Sequence, residues 1–260
     1  MDHTIEHIPD LDVLVTPATA DDVLNAIRAQ VGSGRRFLIA AHNLHSSFLY
    51  HSDDEFRRLY DEEADLIVID GQPVRWLLNR VGGALSEEYR IGSVDWLTKI
   101  SPELGLGRIA IVGGGEEANS ITTQRIADAT GAVVRGFPCD PLTPEREDQV
   151  IASLGELAPH LVLVGLGMPL QERFYLRNRD RLPVGVHALV GGAIDQLAGV
   201  QKRAPGFLGR MGLEWLWRLA LSPSRLGHRY LIEPAQLATL RLRQRQAREN
   251  ALYASMPLHR

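Results

Sequence analysis

The run LIVI at 66–69 is followed at once by Asp70 and Gly71, with Pro73 close behind. A carboxylate set at the end of a buried strand must be neutralised there or put to use. Its ordinary use would be to cap the helix that begins near Pro73, since Asp is favoured at such starts. Other apolar runs end in the same manner. FLIAA (37–41) is followed by His42 and Asn43, IAIV (109–112) by Gly113, Gly114 and Gly115, LVLV (161–164) by Gly165, Gly167, Pro169 and Gln171, and the VHALV run (186–190) by Gly191, Gly192 and Asp195. A glycine turn leading into a helix can bind phosphate through backbone N–H groups and the helix dipole. Gly113-Gly114-Gly115-Glu116-Glu117-Ala118 fits the loose dinucleotide pattern. No acid closes the next apolar run, however, where Arg135, Gly136 and Phe137 follow, so a mononucleotide or nucleotide sugar suits the loop better than a dinucleotide.

Other chemistries have weaker sequence support. His42 and His45 are three apart, but no Cys, His and carboxylate cluster completes a zinc set, so they read as pocket or surface histidines. Asp10 and Asp12 form a D-x-D that precedes the first expected strand, the wrong end for a metal-dependent transfer site. Cys139, the single cysteine, has Pro138, Asp140 and Pro141 as neighbours and reads as structural, with no base beside it.

Positioning these groups requires strands buried on both faces and separated by helices. VLV at 13–15, FLIAA, LIVI, IAIV, AVV at 132–134, LVLV and VHALV read as such strands. Thr19 before Asp22, and Thr143 before Pro144 and Glu145, mark helix starts. The pattern predicts an α/β fold, a Rossmann-like, mostly parallel sheet flanked by helices, with ligands at the carboxyl ends of its strands. The 260 residues, 45% hydrophobic, suffice for one such core. No secretory signal or membrane-spanning run is visible, and the one cysteine suits a cytoplasmic protein.

Charge divides the chain. Residues 1–200 hold 17 Lys and Arg against 29 Asp and Glu, whereas residues 201–260 hold 11 against 3. The division expected is a core at 1–199 and a basic helical appendage at 200–260. That appendage suits a phosphate-bearing ligand, an anionic membrane face, nucleic acid or the body's own acidic surface. Phe207, Leu208, Met211, Leu213, Trp215, Leu216, Trp217 and Leu219 stand there among Arg203, Arg210 and Arg218, a mixture suited to an interfacial helix or to a lid packed on the core.

The segments ADLIVIDGQPV, YRIGSVDWL, IAIVGGG, HLVLVGLGMPLQE, VGGAIDQLAG and QKRAPGFLGRMGLEWLWRLALSPSRLGHRYL together resemble, in this order, the WecG/TagA/CpsF glycosyltransferases, glycosyltransferase family 26. The resemblance runs from about residue 37 to 232. It implies an inverting transfer, without metal or other cofactor, of a sugar such as N-acetylmannosamine from a UDP-sugar to a polyprenyl-diphosphate-linked sugar, in the assembly of surface polysaccharide or teichoic acid. Such an enzyme works peripherally at the inner face of an anionic cytoplasmic membrane, with no nucleic-acid partner and with room for a homo-oligomer. On this resemblance Asp70 is the general base, with helix capping as its alternative. Asn43 matches a donor-sugar or acceptor contact, or else a turn residue. Arg90, ahead of Gly92 and Asp95, matches a diphosphate contact, and Gln171 a nucleotide-sugar contact. Gly114, Gly115, Gly191 and Gly192 line the ligand, Asp195 orders the Gly191 loop, and Arg218 and Arg225 reach the leaving diphosphate. Ala41 and His42 depart from the family's usual hydroxyl residue, and His228 from an expected basic residue. An NAD-type oxidoreductase and a non-catalytic nucleotide-sugar-binding module are the alternatives from other classes.

Overall fold

Where four or more apolar residues run unbroken, the chain forms strands whose alternate side chains enter two different cores. The computed structural model describes residues 4–82, 85–201, 208 and 214–255. An N-terminal hairpin of β1 (Glu6–Ile8) and β2 (Val13–Val15) precedes six parallel strands: β3 (Arg36–His42), β4 (Leu66–Ile69), β5 (Arg108–Gly113), β6 (Val133–Phe137), β7 (Leu161–Gly165) and β8 (Gly185–Leu189). Their order across the sheet is β4-β3-β8-β7-β5-β6. Ile39, Ile109, Ile111, Leu161 and Leu163 face one core. Leu38, Ala40, Ala110, Val112, Val162 and Val164 face the other, with Phe56 and Phe174. Both faces are therefore dry, as a parallel sheet with helices on each side requires.

The helices begin where their capping residues say. Thr19 and Asp22 form a capping box at α1 (Ala20–Gln30), and Thr143 Oγ1 accepts from Arg146 N at the start of the helix Pro144–Leu157. The strand expectations hold with two corrections. VLV at 13–15 lies outside the parallel sheet and pairs antiparallel with β1. Val13 and Val15 are buried but Leu14 is 46% exposed, because a two-stranded ribbon has one core face. AVV at 132–134 is shifted: the strand, β6, starts at Val133 and runs on to Phe137 at the sheet's edge, where Val133 is 63% exposed. At the other edge Thr16 N donates to Ile67 O (2.7 Å) and Ile91 N to Ile69 O (2.9 Å), so segments beside β4 take up its outward carbonyls.

The basic appendage is helical where described: Glu214–Leu221, Pro223–Gly227, a wide π-type turn His228–Ile232, and a C-terminal helix Glu233–Ser255. That last helix lies against α2 (Leu44–Ser52) and seats Leu237 in a third apolar cluster with Ile8, Leu11, Val13, Val15, Ile69, Val74 and Leu78. No described helix is long and apolar enough to cross a membrane.

Candidate active site

All six parallel strands deliver their ends to one side of the sheet, and two adjoining cavities open there. The smaller, about 270 Å³, is lined by residues that include Asn43, Asp70, Arg90, Gly92, Gln171 and Arg229. The larger, about 690 Å³, is lined by residues that include Gly114, Gly115, Asp195, His228, Arg229 and Glu233. Gly167, Met168, Gly191, Gly192, Gln196 and Arg229 belong to both walls, so the two form one cleft.

Asp70 is set by backbone on both sides: its N–H donates to His42 O (2.8 Å), continuing the β3–β4 ladder one residue past Ile69. The following helix, Gln72–Arg80, takes Gly71 as its N-cap with no side-chain cap. Gly71 has φ +95°, a conformation open to glycine that turns the chain away and leaves the carboxylate facing the cleft. The N-cap position thus falls on Gly71, one residue past Asp70. Asn43 Nδ2 donates to Asp70 Oδ2 (3.1 Å). Asn43 is itself fixed as the N-cap of α2: its Oδ1 accepts from Ser46 N (3.0 Å), and its own N–H donates to Ser46 Oγ (2.8 Å). It thus serves as turn residue and as a contact within the cleft. Asp95, near Arg90, accepts from Gly92 N (2.8 Å) and starts a short helix, Ser93–Leu97.

Gln171 is almost fully buried and its amide is fixed at both ends. Oε1 accepts from Gly191 N (2.9 Å), and Nε2 donates to Glu172 Oε1 (2.9 Å). Gln171 is thus tied to the Gly191 loop, and Asp195 lines the larger cavity. Gly113 and Gly165 face one another across β5 and β7. A Cβ on Gly113 (φ +111°) would lie 2.5 Å from Gly165 O, so the strand ends can approach there only as glycines. Gly115 caps a 15-residue helix, Glu116–Thr130, at the wall of the larger cavity.

Behind Asn43 lies a buried polar layer. His42 is fully buried, not a pocket or surface residue as its spacing suggested, because its side chain enters the core rather than the cleft. It stacks on Tyr60 (centroids 4.3 Å apart), and its Nδ1 lies 3.1 Å from Ser46 Oγ. Burial lowers its pKa to about 3, so the ring is neutral. Glu172, not singled out in the sequence, is fully buried, and desolvation raises its carboxyl to about 7 against the opposing hydrogen bond from Gln171. His45 Nδ1 lies 2.5 Å from Glu233 Oε2, joining α2 to the C-terminal helix. Cys139 is buried with Sγ 3.2 Å from Phe137 O, and burial raises its thiol pKa.

Arg229 is the cation that sequence reasoning missed. It stands next to His228, the position where a basic residue was expected, and it lines both cavities. Arg218 and Arg225 lie in the helices Glu214–Leu221 and Pro223–Gly227, but their side chains fall outside the described residues, as do Arg203, Phe207, Arg210, Met211 and Leu213. Among the described residues no three His, Cys, Asp or Glu gather as a metal ligand set. The D-x-D of Asp10 and Asp12 lies in the hairpin turn, after the first strand rather than before it, because Glu6–Ile8 pairs with β2.

The chain is 32% identical over 167 residues to the N-acetylglucosaminyldiphosphoundecaprenol N-acetyl-beta-D-mannosaminyltransferase of Bacillus spizizenii, an alignment covering 62% of this chain and 63% of that relative. It thus spans less than two thirds of that relative's length. The family model described as Glycosyl transferase WecG/TagA/CpsF family matches residues 8–251, which takes in β2 of the hairpin, all six parallel strands and nearly all of the C-terminal helix. With its cleft at the strand ends and Asp70 within it, this chain belongs to the WecG/TagA/CpsF family of glycosyltransferases.

Proposed function

We propose that the protein is an inverting, metal-independent glycosyltransferase that moves N-acetylmannosamine or a related sugar from a UDP-sugar to a polyprenyl-diphosphate-linked sugar. The relative's printed name, with its lipid-diphosphate acceptor and mannosaminyl product, supports the substrate class. The observation that carries the reading is Asp70, one residue ahead of the helix N-cap and held by Asn43 at the wall of a chamber that Arg90 and Arg229 also line.

In this reading the sugar occupies the smaller chamber, and the nucleotide the larger one beside Gly114 and Gly115. The acceptor hydroxyl attacks the anomeric carbon while Asp70 takes its proton. The bond from that carbon to the diphosphate oxygen breaks, and UDP leaves with the electron pair. Arg90 and Arg229 offset the charge that develops on it. Gln171 holds the Gly191 loop as the chamber floor. Trp215, Leu216, Leu221, Leu231 and Ile232 are each more than a third exposed, an apolar flank on the appendage suited to the membrane face that carries a lipid-linked acceptor.

Replacing Asp70 by Asn tests the assignment. Turnover should fall by about 10² to 10⁴, the usual worth of a general base, with UDP affinity nearly unchanged. A variant that keeps more than about a third of wild-type kcat would remove Asp70 as the base.

A further inference from the structure

Asp10 and Asp12 form a motif that the reaction site does not use. They stand in the turn of the β1–β2 hairpin, opposite a row of arginines on the C-terminal helix. Asp12 Oδ2 accepts from Arg241 Nη1 (3.0 Å) and Arg248 Nη2 (2.9 Å), and Asp12 Oδ1 lies 3.0 Å from His7 Nε2. Arg245 Nη2 donates to Asp10 Oδ1 (3.1 Å) and to Pro9 O (2.9 Å). Spacings of four and three place Arg241, Arg245 and Arg248 on one helix face. The Arg241 side chain is only 6% exposed, and a guanidinium buried that far is costly without its counter-charge. Asp12 supplies that counter-charge where the helix lies on the hairpin.

The row continues toward the cleft. Leu237, one turn before Arg241, enters the apolar cluster that holds Ile69, the residue before Asp70. Glu233, one turn earlier, meets His45. Immediately before Glu233, in the same unbroken helical run, stands the turn His228–Ile232 that carries Arg229 to both cavities.

We propose that Asp12, seconded by Asp10, is a positioning residue: its ion pairs seat the C-terminal helix so that Arg229 faces a diphosphate in the cleft. The role rests on the reading of the cleft as a UDP-sugar site. The Asp-x-Asp spacing thus serves an arginine clamp, and no cation is needed to explain it.

The test uses the full-length chain, with amide hydrogen exchange and calorimetric UDP binding as separate readouts. Asp12→Asn should speed exchange through 233–255 while leaving the six-stranded sheet unchanged, and should weaken UDP binding about 5- to 20-fold. Asp12→Glu should retain most of both properties. If Asp12→Asn does not accumulate folded, Arg245→Gln with Arg248→Gln trims the clamp from its exposed side, with the same expectations. Unchanged exchange in 233–255 would overturn the clamp. Faster exchange with a UDP affinity within about twofold of wild type would overturn the positioning role. Failure of the wild-type protein to bind UDP would instead overturn the donor reading, and the positioning role with it, while exchange still reports on the clamp.

Discussion

Asp70 stands at the end of a strand whose four residues are all buried, whereas Arg229 stands at the head of a helix seated by Leu237, Glu233 and a row of arginine ion pairs. The first placement rests on close packing, which yields little to salt or small perturbation. The second rests in part on ion pairs of Arg245 and Arg248, whose side chains are 46% and 70% exposed, and exposed pairs weaken with ionic strength. The two sides of the cleft are therefore held differently: a carboxylate at the end of a buried strand, and a cation at the head of a helix held by Leu237 and by ion pairs.

Ending the chain after Gly199 would break the comparison most completely, since every strand among the described residues lies before that point. Far-ultraviolet circular dichroism should retain the sheet signal, and transfer should fall by about 10³ or more because the cations and the cover over the cleft are lost together. Loss of the sheet signal would show that the appendage is part of the core. Replacing Arg229 alone is the finer cut. Arg229→Ala should lower kcat/KM by about 10- to 100-fold, and Arg229→Lys should recover only part of it, since an ammonium lacks the planar fork that suits a diphosphate. Equal activity of Lys and wild type would reduce Arg229 to a general positive charge.

Acid and base limits should report the body rather than the appendage. His42 titrates near 3 in the folded chain against an ordinary 6.5, so the unfolded chain takes up the proton first and stability is lost as pH falls from about 6.5 toward 3. His187, lowered to about 4 by burial, acts in the same direction. Glu172 is the reverse. Its folded value of about 7 lies above its ordinary 4.5, so stability present at low pH is lost as pH rises between these values. Melting temperature measured from pH 4 to 8 should therefore pass through a maximum, and Glu172→Gln should flatten its alkaline side. An unaltered alkaline side would show that Glu172 does not titrate there. The smallest expected effect is that of EDTA: transfer should be unchanged, as Arg90 and Arg229 supply the positive charge. Loss of activity that magnesium or manganese restores would contradict that assignment.

The sheet was legible because burial on both faces leaves unbroken apolar runs, and the polar or glycine residue after each run marks the functional edge. VLV at 13–15 misled because three apolar letters look alike in a ribbon and in a buried strand, though Leu14 points outward. Asn43 and Asp70 could each be placed at the functional edge from sequence, since each follows an apolar run, but their contact depends on the adjacency of β3 and β4, which no run of letters gives. His42 could not be placed, because one residue's shift along the strand turns the side chain from cleft to core. The arginine clamp was also hidden: Asp12 and Arg241 are 229 positions apart, and no local pattern joins a hairpin turn to a distant helix.

The two margins of the six-stranded sheet also differ in how they would meet another molecule of the same kind. Beside β4, Thr16 and Ile91 already occupy the carbonyls of Ile67 and Ile69, so a foreign strand finds that border closed. At β6 the border lies open, with Val133 outward and Arg135 two positions along the strand. An exposed strand invites pairing, and a charged side chain on it discourages the flat stacking that leads to aggregates. Colloidal behaviour at high concentration should thus depend on β6: neutralising Arg135 would favour precipitation, whereas changes along β4 would leave solubility as it was.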